Sequence, residues 1–351
     1  MDGRKLCSIA KNDSLLYTRN SIFAKSPDAL IGEPCDLRTG HMNTNETFIL
    51  AHLSDPHLAY HHGMRLADFL NKRLFGYIKW RLSRKSEHHD DVFAGMIQDV
   101  KTSRPDHIVV TGDLTHLGLP AEFAKAKELL STLGSPSQVT IIPGNHDAYV
   151  EGALDCRLSE WADYIVSDEL KVCDETDRSV NAIFPSLRVR GPVALLGVST
   201  AQPCATLLAV GCIGEDQLQR LQKMLIETGQ KGLFRIVLIH HPPISGVVSW
   251  RKRLIDAEVF QKTLQGCGAE LILHGHSHHQ SRTYLETSAG RIPVIGVSSA
   301  SAAGENPKRR ARYHLYHLSP RADGWDIRVC VRSYVNKDKR FDTENEYRLT
   351  A

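Results

Sequence analysis

The sequence predicts an α/β domain with stacked sheets and helices outside, and three observations point there. Short apolar runs of strand length recur from residue 47 onward, helical stretches separate the early runs, and the late part of the chain is strand after strand. Runs that are apolar at consecutive positions, rather than at alternate ones, belong to strands covered on both faces.

The first run is 47–53, and it stops at Ser54-Asp55. Further strands are expected at 107–111, 139–143, 193–198, 236–240, 271–274 and 293–297, and later at 312–318 and 325–331. Helices are expected at 91–102, 121–133, 215–227 and 256–265. The second of these is opened by Pro120 and closed by Gly134. Pro needs no N–H partner in a first turn, and Gly tolerates the backbone reversal after a last one. Residues 1–46 are polar and lack periodicity, so they read as a poorly ordered N-terminal extension. Residues 47–335 read as the folded domain, with a basic insert at 64–86, and 336–351 as a polar C-terminal tail.

Bulk composition narrows the class. A chain of 351 residues, 42% hydrophobic and 24% charged, can bury a full core. No apolar run approaches the ~20 residues of a membrane-spanning helix. The first residues carry no apolar stretch of the kind a cleaved secretory signal has. Eight cysteines are scattered without a C-x-x-C pair, which argues for free thiols in a reducing compartment, hence a cytoplasmic protein.

The eighteen histidines matter by position. Five of the apolar runs end in chemically capable side chains: Asp55-Pro56-His57, Gly112-Asp113, Gly144-Asn145-His146-Asp147, His240-His241-Pro242 and His274-Gly275-His276-Ser277-His278. Open α/β sheets build their sites at these strand ends. Taken singly, each segment reads as a polar strand cap. Five in sequence read as one site. Carboxylate, amide oxygen and imidazole form a borderline-hard donor set suited to manganese, iron or zinc, and no cysteine lies in any of the five segments, unlike a structural zinc site. Seven candidate ligands exceed what one tetrahedral ion takes, but suffice for two ions sharing a carboxylate.

The order D-x-H, G-D, G-N-H-D, H-x-P, G-H-x-H closely resembles the calcineurin-like metallophosphoesterases, over residues 49 to about 297. The resemblance implies a four-layer αββα sandwich of two mixed sheets and a hydrolase acting on phosphate ester or anhydride bonds. It also implies two divalent transition-metal ions, manganese first and iron or zinc as alternatives. Asp55, His57 and His278 would hold one ion, and Asn145, His240 and His276 the other, with Asp113 bridging. A metal-bridging hydroxide would attack phosphorus in line. His146 would contact the phosphate and assist the leaving group, oriented by Asp147. One departure is His116, where the family often has Asp or Asn three residues after the bridging Asp, and it bears on local hydrogen bonding.

Other histidines receive plainer expectations. His241 is expected to line the site as a substrate contact, His274 to end a strand and His279 to sit at the rim. His61, His62, His88 and His89 flank the insert and are expected to be solvated.

The substrate is sought in the loops. Residues 64–85 hold seven cations against one acid, a net +6 that leaves the rest of the chain near −3. Leu66, Phe69, Leu70, Leu74, Tyr77 and Ile78 recur near helical spacing beside Trp80. Two more basic stretches lie at Arg251-Lys252-Arg253 and Lys308-Arg309-Arg310. A basic amphipathic segment with aromatics suggests a phosphate-containing lipid or small molecule met at an anionic membrane surface, with Arg73 and Arg81 as substrate contacts. A docked helix would give the same spacing. In layout the insert is similar to that of the UDP-diacylglucosamine hydrolases, which would imply a lipid-linked nucleotide-sugar substrate and a peripheral position at the inner face of the membrane. Alternatives are a cyclic-nucleotide or glycerophospho-type phosphodiesterase, and a nuclease, although nucleic acid is not favoured. A metal-free scaffold of the same fold is the non-enzyme alternative, and the complete ligand set counts against it.

Overall fold

The apolar runs become strands because water is excluded from both of their faces. The computed structural model describes residues 47–59, 72–81, 88–168, 179–288, 290–303 and 307–349, so the N-terminal extension and most of the basic insert lie outside the described residues. In chain order the elements are β1 (Phe48–Leu53), α1 (Arg73–Lys79), α2 (Asp90–Ser103), β2 (His107–Val110), α3 (Pro120–Leu133), β3 (Val139–Ile141), α4 (Ala162–Ile165) and α5 (Val180–Ile183). There follow β4 (Ser186–Arg190), β5 (Val193–Gly197), α6 (Glu215–Gln230), β6 (Phe234–Leu238), α7 (Ala257–Cys267), β7 (Leu271–His274), β8 (Ser281–Thr287) and β9 (Gly290–Gly296). The described chain ends with β10 (Arg312–Arg321), β11 (Gly324–Val335) and β12 (Arg340–Leu349).

These strands form two mixed six-stranded sheets, ordered β12-β11-β10-β1-β2-β3 and β4-β5-β6-β7-β9-β8. In the first, β1, β2 and β3 are parallel, and β10 adds antiparallel to the free side of β1, with Ala51 opposite Leu315. In the second, β5, β6, β7 and β9 are parallel, and β4 and β8 close the edges antiparallel. Alternate residues of the second sheet serve two cores. Leu195, Ile236, Leu238, Leu273 and Ile295 face the first sheet in the larger core, to which α2 and α3 contribute Met96 and Phe123. Leu196, Val237, Ile239, Ile272 and Val294 face the other way, onto Leu221 and Leu225 of α6 and Phe260 and Leu264 of α7. Burial on both sides is the reason the runs show no polar alternation. The result is the helix–sheet–sheet–helix layering expected from the sequence.

The expected boundary at 335 is too early. Residues 340–349 are not a tail but the strand β12, paired antiparallel with β11 from Ile327↔Leu349 to Val335↔Arg340. Its sequence, RFDTENEYRL, is polar because it is an edge strand with much of its length exposed, while Phe341 and Leu349 are buried. The edge strands β4 and β8 are likewise absent from the expected set.

Burial holds several histidines neutral and gives the fold a pH dependence, which His107 and His314 illustrate. His107 Nε2 lies 2.7 Å from Thr140 Oγ1, and His314 Nδ1 lies 3.2 Å from the Tyr316 hydroxyl. Burial, reinforced by Arg190 and Arg188 around His107 and by Arg312 beside His314, pushes both imidazoles down to about 3, against the opposing pull of Glu344 on His314. Their folded pKa values lie below the ordinary 6.5, so between about pH 6.5 and 3 the unfolded chain binds the extra protons. Stability therefore falls as pH falls, by about 1.4 kcal/mol per pH unit for each group once the unfolded imidazole is charged. Urea unfolding between pH 6.5 and 4.5 should show stability falling with pH, and His314→Gln should make the slope shallower by about one proton. An unchanged slope in that variant would mean that His314 is not buried neutral.

Candidate metal centre

Both sheets deliver their parallel strand ends to one place. Asp55 and His57 follow β1, Asp113 follows β2, and Asn145 and His146 follow β3; His240 follows β6, and His276 and His278 follow β7. Main-chain hydrogen bonds join these loops to one another. Asp55 N–H donates to Gly112 O at 3.0 Å, His57 N–H to Asp113 O at 3.0 Å, and Gly275 N–H to His240 O at 3.2 Å. The turns are tight. Among the described residues, Asp55, His57, Asp113, His276 and His278 are five of the eight non-glycine residues with positive φ, a backbone state that costs an L residue energy and persists where surroundings enforce it. Two glycines make room. A Cβ at Gly144 would collide with the Asp113 carboxylate, and one at Gly275 with Ser54 Oγ and Asp55 Oδ2.

The side chains converge on the Asp113 carboxylate. His240 Nε2 lies 3.3 Å from Asp113 Oδ2 and 3.2 Å from Asn145 Oδ1. Its orientation is fixed from behind, because Nδ1–H donates to Thr111 O at 2.7 Å and leaves Nε2 for the centre. His57 Nε2 lies 3.8 Å from Asp113 Oδ2, 3.7 Å from Asp55 Oδ1 and 2.8 Å from His278 Nε2. His278 Nε2 in turn lies 3.4 Å from Asp55 Oδ1. Asp113, His240 and His276 form a second fully buried group of ligand atoms within 4.8 Å of one another.

Electrostatics fit a cation. Asp55 Oδ1 is buried without a hydrogen-bond partner, which costs desolvation energy unless a positive charge faces it. Burial opposes ionisation of Asp113, but His240, His146 and His276 around it hold its carboxyl well below the usual range. Burial also opposes protonation of His240, yet the Asp113 charge and hydrogen bond push it up to about 9. Asp147 goes the other way. Burial and then the nearby Asp113 charge push it up to about 7, against donors from Gly144 and Thr115.

The seven residues expected as ligands are thus brought together. Three other expectations change. Asp147 is tied to main chain and threonine, accepting from Gly144 N at 2.8 Å, Thr115 N at 2.8 Å and Thr115 Oγ1 at 2.9 Å, so it shapes the loop. The His146 imidazole is oriented instead by His116, whose carbonyl accepts from Nδ1 at 2.6 Å and whose ring stacks on it at 5.4 Å. The departure at position 116 therefore falls on the residue that holds the His146 imidazole. His241 does not reach the cavity, since it is fully buried between Thr200 Oγ1 at 2.7 Å and Ala209 O at 3.2 Å and supports the loop through Ala209. Arg73 donates to Leu117 O at 3.1 Å and Gly118 O at 2.7 Å and anchors α1, while Arg81 is exposed.

Sequence reasoning missed His88. It was expected to be solvated, yet its ring lies 4.9 Å from that of His57 and 5.7 Å from that of His278. The signal was hidden because His88 lies on no apolar run; it is placed by one bridge to Ala302 across more than two hundred residues. His61 and His62 lie outside the described residues.

The sequence model of the calcineurin-like phosphoesterase family matches residues 48–280. The chain belongs to that family. It is therefore a metallophosphoesterase, a hydrolase of phosphate esters, and its His/Asp clusters are of the kind that hold divalent metal. It is 27% identical over 260 residues to a cAMP/cGMP dual specificity phosphodiesterase of Mycobacterium tuberculosis, a match covering 72% of this chain and 67% of that one. A shorter match, 34% over 104 residues, joins it to a glycerophosphodiester phosphodiesterase of Enterobacter lignolyticus, covering 28% of this chain and 29% of that one. In fold it resembles a dimetal phosphatase from Danio rerio, with a TM-score of 0.54 at 14% identity, covering 86% of this chain and 98% of that one.

Gly275 provides a test of the centre as a unit. Gly275→Ala should push the Ser54–Asp55 turn away, and lower bound metal at least tenfold under limiting metal while far-ultraviolet circular dichroism stays near native. Native metal content in this variant would show that the turn has slack the packing denies.

Proposed function

We propose that the protein is a binuclear metal-dependent phosphodiesterase acting on a small phosphodiester, of the cyclic-nucleotide or glycerophosphodiester class. The observation that carries this reading is a cavity of about 370 Å³ opening directly on Asp113, Asn145, His146, His276 and His278. Its walls add cations from Lys72, Arg251 and Lys252 and apolar surface from Phe75 and Leu207. That volume suits one small molecule, with phosphate on the histidine floor and an apolar or planar part against the walls. The named activities of the relatives support the same class.

Asp55, His57 and His278 would hold one ion, Asn145, His240 and His276 the second, with Asp113 shared. Manganese, iron or zinc suits a donor set of carboxylate, amide and imidazole. When bound, two such ions supply a hydroxide nucleophile near neutral pH and offset charge on the phosphoryl oxygens. The chain's own residues do the rest. Asp113 and the backbone it accepts from, His146 N–H at 2.7 Å, keep the floor rigid. With Nδ1–H given to His116 O, the His146 imidazolium presents Nε2–H to the phosphate and then to the departing ester oxygen. Water adds to phosphorus, the P–O ester bond breaks, and the alcohol leaves with a proton. Lys72 is held over the Tyr149 ring, 4.7 Å from its centroid, and donates to Cys204 O at 2.7 Å, so it lines the cavity as a fixed charge.

A second reading, a lipid-linked nucleotide-sugar substrate at an anionic membrane, is favoured by one observation. Helix α1 exposes Phe75 and Ile78, at 62% and 44%, beside the cavity mouth. No helix among the described residues is long and apolar enough to cross a membrane.

A hydrolysis screen with manganese across cyclic nucleotides, glycerophosphodiesters, nucleotide-sugar lipids and DNA should show turnover of the first two classes and its loss on chelation. Turnover of the lipid alone, stimulated by anionic liposomes, would favour the second reading. His146→Ala should retain about two metal ions per chain and lose roughly a hundredfold or more in kcat. If it lost its metals as well, His146 would be a ligand.

A further inference from the structure

We propose that His88 is a further metal-facing residue, a fifth protein donor at the ion held by Asp55, His57, His278 and the shared Asp113. The inference rests on the binuclear reading above and extends it to a side chain outside the five strand-end segments.

Three observations converge on His88. Its ligand atom, with those of His57 and His278, forms a group in which all three lie within 4.8 Å of one another. Its ring meets that of His57 nearly edge-on, at 4.9 Å and 62°. Its backbone is pinned by the bridge to Ala302 and by His89 N–H donating to Ser301 O at 2.9 Å.

The hydrogen bonds behind the ring engage one of its two nitrogens. Ser299 Oγ–H donates to Asp55 O at 2.6 Å, so its lone pairs are what remain for His88 Nδ1 at 3.3 Å. Ser301 Oγ lies closer, 2.8 Å from the same nitrogen. Both hydroxyls engage Nδ1, which leaves Nε2 as the ring nitrogen a metal would take. Ser299 thereby joins the carbonyl of Asp55, a residue of the same group, to the imidazole of His88. A borderline-hard divalent ion takes five or six donors readily, so the added imidazole leaves fewer coordination positions to water. His89, one residue on, is 42% exposed on its side chain and faces Asp91, so the arrangement belongs to His88 specifically.

The test is metal affinity and ligand field. Native protein, His88→Ala, His88→Gln and His89→Ala are loaded with manganese, dialysed against graded chelator and assayed for bound metal; parallel samples are loaded with cobalt for visible absorption. Both His88 variants should release one of two ions at ten- to a hundredfold lower chelator concentration, keep the other, and show altered cobalt bands. His89→Ala should match native protein. Melting of the metal-stripped proteins, equal in native and His88→Gln, separates this from misfolding. Native affinity for both ions and an unchanged cobalt spectrum in His88→Gln would overturn the assignment. Fewer than two ions in native protein would instead overturn the binuclear reading on which it rests.

Discussion

The Asp113 carboxylate sits almost without solvent among imidazoles, and the surrounding architecture answers the cost of putting a charge there. No single sheet presents enough donors at one edge. The two sheets stack with their parallel strand ends toward the same point, so that three loops reach Asp113 from one layer and two from the other. The left-handed turns at Asp55, His57, Asp113, His276 and His278 are the local expense of this convergence. The loops are held by bonds that cross between them, such as His276 N–H to Asp55 Oδ2 at 3.0 Å, which ties the second sheet to the first.

The sequence revealed most where burial is two-sided and least where it is one-sided. The strands β1, β2, β3, β5, β6 and β7 are buried above and below, and their apolar runs end where the loops begin. That made the seven converging residues legible, because chemistry concentrates at the ends of such runs. The strands β4, β8 and β12 lie at sheet edges, where exposed positions accept polar side chains and the run is broken. Residues placed by long-range contact were illegible for a different reason. Nothing local marks His88 as facing His57, since Ser299 and Ser301, which aim it, lie on the far side of the sequence. Asp147 and His241 misled in the opposite sense. Proximity in sequence to the converging residues suggested a role at the substrate, but both spend their polar atoms on the backbone and threonine hydroxyls of neighbouring loops.

The basic insert shows how composition and contact can diverge. Arg73 is a cation by composition, yet its guanidinium caps the carbonyls of Leu117 and Gly118 and fastens α1 beside the cavity. Gly76 completes the seat, because a Cβ there would meet the Tyr149 hydroxyl and Leu117. Tyr149 stands three residues beyond His146, with ring centroids 5.6 Å apart. The described part of the insert therefore lines the cavity beside Asp113, packed against the loop that carries His146.

The place of β1 between β2 and β10 has a consequence for how the protein is made. A ribosome delivers β1, β2 and β3 first, and with them Asp55, Asp113 and Asn145. The neighbour that covers the other edge of β1 is β10, which emerges some 260 residues later. Until then the earliest strand offers an open row of hydrogen-bonding groups to any passing chain, and contacts this distant in sequence are slow to form. The nascent chain thus carries four of the seven converging residues, Asp55, His57, Asp113 and Asn145, on an unfinished sheet through most of its synthesis. Its vulnerable interval is set by topology, before any metal is bound.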